Sequence, residues 1–235
     1  MPLHLNAPIT AMRGVGGARA ASLASLGIES VYDLLHHYPR GYQHRGNVCS
    51  VAEAMQIAAQ GSMEPVSLML CVSAEPSYRV IRRGMAVLKL RAFDESGVCD
   101  ITYFNQNYLK DTFHTGGTFR FFGRVSMEGK RLCMTAPLWE AVILGRELPN
   151  IVPVYPLAAG LTQKFISTLI RDALAGVGGQ ITETLPADVM RRESLCTLRF
   201  ALRSIHFPPD AAALATARRR LVFEEFFEMG LRWRR

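Results

Sequence analysis

The chain has 235 residues, 49% hydrophobic and 20% charged, with a formal net charge of +7. That is a globular composition with room for one large or two small cores. It contains no apolar run of about 18 residues, which excludes a transmembrane helix, and Met1–Asn6 lacks the basic-then-apolar pattern of a secretory signal.

The five cysteines, Cys49, Cys71, Cys99, Cys133 and Cys196, are scattered and never spaced C-x-x-C. This argues against a disulfide frame or a zinc site and predicts free thiols in a reducing cytoplasm. The pI near 9.4 favours a polyanionic partner. Lys89, Lys110, Lys130 and Lys164 are the only lysines. Arginine forks phosphate and stacks on bases, so the bias suits nucleic acid, although a GC-rich genome also enriches arginine and alanine together.

Residues 1 to about 60 read as helical. Gly14-Val15-Gly16-Gly17 precedes an alanine-rich helix ending near Gly27. Ser30 opens a second, with Asp33 in capping-box spacing, and Pro39 stops it. The pair resembles a helix-hairpin-helix element, whose backbone N–H groups hold phosphate in some proteins and merely pack in others.

Residues 62–145 are different in kind. Val66 to Val72, Met85 to Phe93, Val98 to Phe104, Thr118 to Val125 and Arg131 to Ala136 are five strand candidates, with a short helix near Asn107 to Phe113 between the third and fourth. This is the order of an OB-fold, a five-stranded Greek-key barrel. Alternation along the third strand puts Phe104 on the wet face with Asp100 and Thr102 and leaves Tyr108 at the edge of the helix that follows. Two rings thus meet at a strand-to-helix corner. Lys89, Arg91, Arg120 and Arg124 are expected on the outer strand faces, with Phe122 a further ring. Tyr78, Arg79, Arg82 and Arg83 fall in one hairpin, Lys130 and Arg131 in another. Tyr103 and Asn105 flank the first ring as secondary candidates. Basic groups interleaved with rings make a plausible nucleic-acid surface.

Residues 146–235 turn helical again. Ile151 to Pro156 is proline-rich and reads as an extended connector. Thr162 caps a helix with the stripe Phe165, Ile166, Leu169 and Ile170, and Leu195, Leu198, Leu202 and Ile205 form another. A last helix runs from about Ala211 to Arg235 with aromatics that lack an obvious partner, and its Glu224, Glu225 and Glu228 are expected to pair with Arg220 or Arg232 on a solvated face. The fold class is therefore α+β and multidomain. No phosphate-binding loop, dinucleotide fingerprint, H-E-x-x-H or G-x-S-x-G motif is present. His36 and His37 are adjacent on a helix, pointing about 100° apart, and do not chelate one ion well.

Four segments in order carry a family resemblance. They are Arg13-Gly14-Val15-Gly16 with Val31-Tyr32-Asp33-Leu34-Leu35-His36-His37-Tyr38-Pro39; Phe93-Asp94-Glu95-Ser96-Gly97 leading to Tyr103-Phe104-Asn105; Val152-Pro153-Val154-Tyr155-Pro156 with Gly160-Leu161; and Ile205-His206-Phe207-Pro208 with Phe223-Glu224-Glu225. Together they resemble the N-terminal region of the bacterial RecG family of ATP-dependent DNA helicases. The resemblance implies a monomer that binds forked and four-way DNA in recombination and repair. Its OB-fold wedge would split strands, with aromatics matching Phe104 and Tyr108 stacked on the first parted bases. ATP and magnesium would belong to motor domains absent from this stretch, which by itself needs no cofactor and should lack ATPase activity. A single-strand DNA-binding protein is a further expected partner. Two other readings stay open: a general single-strand or RNA-binding OB module, and a protein-interaction domain.

Overall fold

A computed structural model describes residues 3–233, which divide into two compact units: the chain up to Gln43 together with the stretch from Ile151, and His44–Asn150. The expected end of the last helix at Arg235 lies outside the described residues.

The first unit begins with α1 (Gly17–Ala24) and α2 (Val31–His36). Gly14 turns the chain into α1 at φ +85°, a conformation glycine adopts without penalty. Ser30 and Asp33 form the anticipated capping box, each side chain accepting from the other's backbone N–H. The helical reading of residues 1–60 misses two short strands, β1 (Gly41–His44) and β2 (Val48–Cys49).

The second unit carries β2, then α3 (Val51–Ala59), β3 (Val66–Val72), β4 (Ser77–Arg82), β5 (Met85–Asp94) and β6 (Gly97–Phe104), then β7 (Thr118–Gly123), β8 (Val125–Glu128), β9 (Arg131–Thr135) and β10 (Leu138–Ala141). All five expected strands are present. The short helix shrinks to a single 3-10 turn, Asn107–Lys110. The sheet holds more than the five expected strands. Pairing runs β10-β7-β3-β5-β6-β9-β8, with β2 on β3 and β4 on β5, so nine strands are paired and no ladder among the described residues closes them into a barrel. The expected fourth strand breaks at Gly123–Arg124. Its first half pairs with β3 and its second with β9. Pro137 passes so close that a Cβ on Gly123 would stand 3.2 Å from it.

The core of this unit gathers alternate residues of the central strands, such as Leu68, Leu70, Leu88, Leu90 and Ile101, around Phe113, which meets Phe119 edge-on at 4.9 Å. Asp94 ties the β5–β6 turn to α3. Its Oδ1 accepts from the N–H groups of Ser96 and Gly97, and its Oδ2 from Val51 N at 2.8 Å. Burial works against the Asp94 carboxylate, but these donors outweigh it and hold its pKa below the usual range. A side chain at Gly97 would collide with Val51 at 2.8 Å. The Asp94-to-Gly97 motif is therefore architectural.

The chain then re-enters the first unit through β11 (Ile151–Val154), which pairs with β1 in a two-stranded sheet, an arrangement that tolerates Pro153. α4 (Gln163–Val177), capped by Thr162, buries its stripe with Leu23, Leu34 and Leu35. α5 (Ala187–Arg192), α6 (Leu198–His206) and α7 (Ala211–Arg232) follow. Arg220 corrects the solvated-face expectation. It pairs with Glu224 as anticipated but is fully buried and also bonds Glu183. Phe226 and Trp233 of the last helical stretch are exposed.

Candidate nucleic-acid interface

The outer face of β4, β5 and β6 follows from pleat and register. Successive side chains of a strand alternate between faces, so Val87, Lys89, Arg91 and Phe93 of β5 share the face opposite the core. Register sets Arg79, Val87 and Phe104 in one cross-strand row, and Ser77, Lys89 and Thr102 in the next. The third row pairs Arg91 with Asp100, and the last pairs Phe93 with Val98. Phe104 is 41% exposed at the end of β6, and Tyr108 is 63% exposed on the 3-10 turn, anchored there because neighbouring Leu109 is buried in the core. The Tyr108 hydroxyl donates to Gln106 Oε1 at 2.9 Å and leaves the ring uncovered.

Asn105 is the joint of this corner. It holds φ +54°, a left-handed conformation asparagine tolerates better than most residues. Its N–H donates to Ala86 O at 2.9 Å and its Oδ1 accepts from Ala86 N at 2.8 Å. Its Nδ2 donates to Gly84 O at 3.1 Å. The basic tip of the β4–β5 hairpin, with Arg82 and Arg83 exposed, is thereby fastened to the strand end that carries Phe104.

Three expected surface residues are corrected. Tyr103 is 1% exposed, because it alternates with Phe104 and so faces the core; its hydroxyl donates to Pro137 O at 3.0 Å, and burial raises its pKa. Arg120 is 2% exposed. Its Nε donates to Glu140 Oε2 at 2.9 Å, its Nη2 to Pro149 O at 2.7 Å and its Nη1 to Arg45 O at 3.3 Å. The outer side of β7 is covered by chain from both ends of the unit, and Phe122 is likewise buried, with the Arg45 guanidinium 5.2 Å from its ring centre.

Apart from Tyr78, which is half-buried against the core, the remaining candidates are exposed and fall into groups. Arg79, Lys89 and Arg91 lie on the sheet face. Asp100 sits among them, accepting from Arg91 Nε at 2.9 Å with Arg131 Nη1 at 3.5 Å. The bond to Asp100 raises the pKa of Arg91 further, keeping the guanidinium charged. Lys130 stands in the β8–β9 turn, and Arg124 at the β7–β8 break. Sequence reading missed β4 as a strand, although the apolar Tyr78 and Val80 among polar neighbours before Gly84 gave the signal, and it missed the Arg45–Glu140 pair at 3.3 Å. Among the described residues no three His, Cys, Asp or Glu side chains are grouped as metal ligands, and no helix is long and apolar enough to cross a membrane.

The family model of the RecG wedge domain matches residues 8–177. The chain belongs to the RecG wedge domain family. The ATP-dependent DNA helicase RecG of Streptococcus pneumoniae is 28% identical over 226 residues, covering 96% of this chain and 32% of that protein. RecG of Thermotoga maritima is 25% identical over 234 residues, covering 97% and 29%. A solved structure of RecG bound to a three-way DNA junction superposes with a TM-score of 0.82 at 25% identity over 97% of this chain and 30% of that one. The chain thus spans about 30% of the length of these RecG relatives.

Proposed function

We propose that this chain is the junction-binding wedge portion of a RecG-type DNA helicase acting in recombination and repair. The observation that carries the reading is the exposed corner where Phe104 and Tyr108 stand beside a basic hairpin. Each ring stacks on a base that has lost its neighbour at the branch point, a contact of about 1–3 kcal/mol where it has been measured. That offsets an unstacking cost of a few kcal/mol. Arg79, Arg82, Arg83 and Lys89 hold phosphates without reading sequence. Arg91, Arg124, Lys130 and Arg131 extend the positive field. The break between β7 and β8, one segment pairing with both β3 and β9, supports reading the sheet as an opened OB-type barrel. The proposal gives this chain branched DNA as its partner, and it gives ATP and magnesium to motor domains of a full-length protein. The similar solved structure, RecG bound to a three-way DNA junction, supports the choice of ligand.

The test compares the parent with Phe104→Ala/Tyr108→Ala on a fork, a blunt duplex and a single strand by fluorescence anisotropy. Affinity for the fork is expected to fall about tenfold or more per ring, with duplex binding unchanged. Equal loss on all three rejects the wedge, and so does no loss on the fork. Parent preference for a long single strand selects a general OB module instead.

A further inference from the structure

We propose that the outer face of β5 and β6 is a track that leads one separated strand from the Phe104 corner to a second stacking position at Phe93. The inference rests on the wedge reading and adds to it a ligand, single-stranded nucleic acid, and a direction. Phe93 is 40% exposed and its cross-strand partner Val98 is 48% exposed, so a large ring lies on a wet sheet face where core packing does not require it. It shares that face with Phe104, six residues further along the paired ladder as counted on β6, which is about 20 Å at the usual strand rise. Between the two rings the face presents Lys89 and Arg91 from β5 and Thr102 from β6.

The far end is also basic. Cys99 pairs with Leu132 in the parallel β6–β9 ladder, which brings Arg131 and the Lys130 turn to the end of the sheet that carries Phe93 and Val98, away from the Arg82–Arg83 hairpin. The carboxylate on the path, Asp100, is paired with both Arg91 and Arg131 and so does not repel phosphate as a bare charge would. Glu95, exposed in the turn beyond Phe93, places an unwelcoming charge past the second ring and ends the track there. Ring, cations and ring in register are what a sequence-tolerant single-strand platform needs, and the length fits within the roughly 4–16 nucleotides that one such fold covers. A bare cross-strand apolar pair would explain Phe93 and Val98, but not their shared face with Lys89, Arg91 and Phe104.

The experiment measures affinity of the 235-residue chain for forks whose single-stranded arm grows from none to about 8 nucleotides, on the 3′ side and, separately, on the 5′ side. In the parent, affinity rises with arm length for one polarity only, because the strands lead away from the corner in one direction. Phe93→Leu, which keeps an apolar side chain without a ring, loses about fivefold or more of that gain and leaves the armless fork unchanged, whereas Phe93→Tyr keeps the gain. Thermal melting confirms that both variants fold as the parent does. The track is overturned if the parent shows no gain, if both polarities gain equally, or if Phe93→Leu keeps the gain or weakens the armless fork as much. These outcomes are separate from failure of the wedge itself, which is read on the armless fork with Phe104→Ala/Tyr108→Ala.

Discussion

Asn105 and Ala86 exchange two hydrogen bonds, one from each backbone N–H, with the Asn105 side chain accepting in one and the Ala86 carbonyl in the other. A third bond from the same asparagine reaches Gly84 O. These bonds give Asn105 a role in positioning the hairpin.

Asn105→Gly tests that role cleanly, because glycine meets φ +54° without strain while losing both side-chain bonds. At about 0.5–1.5 kcal/mol per bond, the variant should unfold about 1–3 kcal/mol more easily, and the Ala86 amide should exchange with solvent several-fold faster. Fork affinity should fall although no DNA-stacking ring has been removed. Asn105→Ala should be worse in urea denaturation, since a left-handed alanine adds roughly 1 kcal/mol of strain. Unchanged protection of Ala86 in Asn105→Gly would show that the tip is held by something else.

Arg120→Ala is expected to act on stability and not on DNA. The guanidinium bridges Glu140 and two backbone carbonyls in a buried site, and removing one partner of such a pair costs about 3 kcal/mol or more. Arg120→Lys should restore little, because an ammonium cannot serve three acceptors with the fixed geometry of the fork. Arg91→Ala, which removes an exposed and solvent-screened pair with Asp100, should move the urea midpoint far less. Urea midpoints separate the two, and fork affinity per folded molecule should be unchanged for Arg120→Ala.

The contrast between these residues shows where the sequence was legible. Period-two alternation located five strands and predicted the exposure of Phe104, Lys89 and Arg91, because those properties depend on neighbours one or two positions away. Arg120 obeys the same alternation, yet its face is covered by Arg45 and Pro149, chain that is distant in sequence. Local pattern contains no such information. The role of Asn105 was hidden for a related reason, since it depends on cross-strand register with a hairpin whose first strand, β4, was unrecognised. The expected fourth strand breaks at Gly123–Arg124, and although a glycine inside a strand pattern is a local sign of such a break, the separate partners of its two halves depend on register distant in sequence.

The salt dependence of binding should sort the basic residues. Arg82 and Arg83 are exposed at the hairpin tip and form no ion pair among the described residues. If each neutralises one phosphate, Arg82→Ala/Arg83→Ala should lower the slope of log affinity against log salt by about 1.4–1.8, given roughly 0.9 per duplex phosphate and 0.7 per single-strand phosphate. Arg91→Ala should lower it less, because its charge is already shared with Asp100. Anisotropy titrations across a range of salt concentrations measure both, and equal slopes for parent and double variant would place the hairpin off the DNA.

His206 predicts how the first unit responds to acid. Its ring is buried, with Nδ1 3.1 Å from the Tyr155 hydroxyl and Nε2 2.9 Å from Leu35 O. Burial lowers its pKa from 6.5 to about 4; the bond to the Leu35 carbonyl opposes that shift, and His37 and His36 add to it. Because the folded value lies below the unfolded one, the unfolded chain binds the proton more readily between those limits. The stabilisation is therefore complete above pH 6.5 and is lost progressively as pH falls toward 4, to a total of about 3 kcal/mol at 1.36 kcal/mol per pH unit. Asp33, Asp94, Glu53 and Glu183, whose pKa values are lowered from 3.8 or 4.5, lose their contributions in a lower window. Urea denaturation of the first unit between pH 6.5 and about 5 thus isolates the histidine. In that window the parent should lose stability with a slope approaching one proton, and His206→Gln, though less stable at neutral pH, should give a flatter line. A slope that survives the substitution would assign the acid sensitivity to another group.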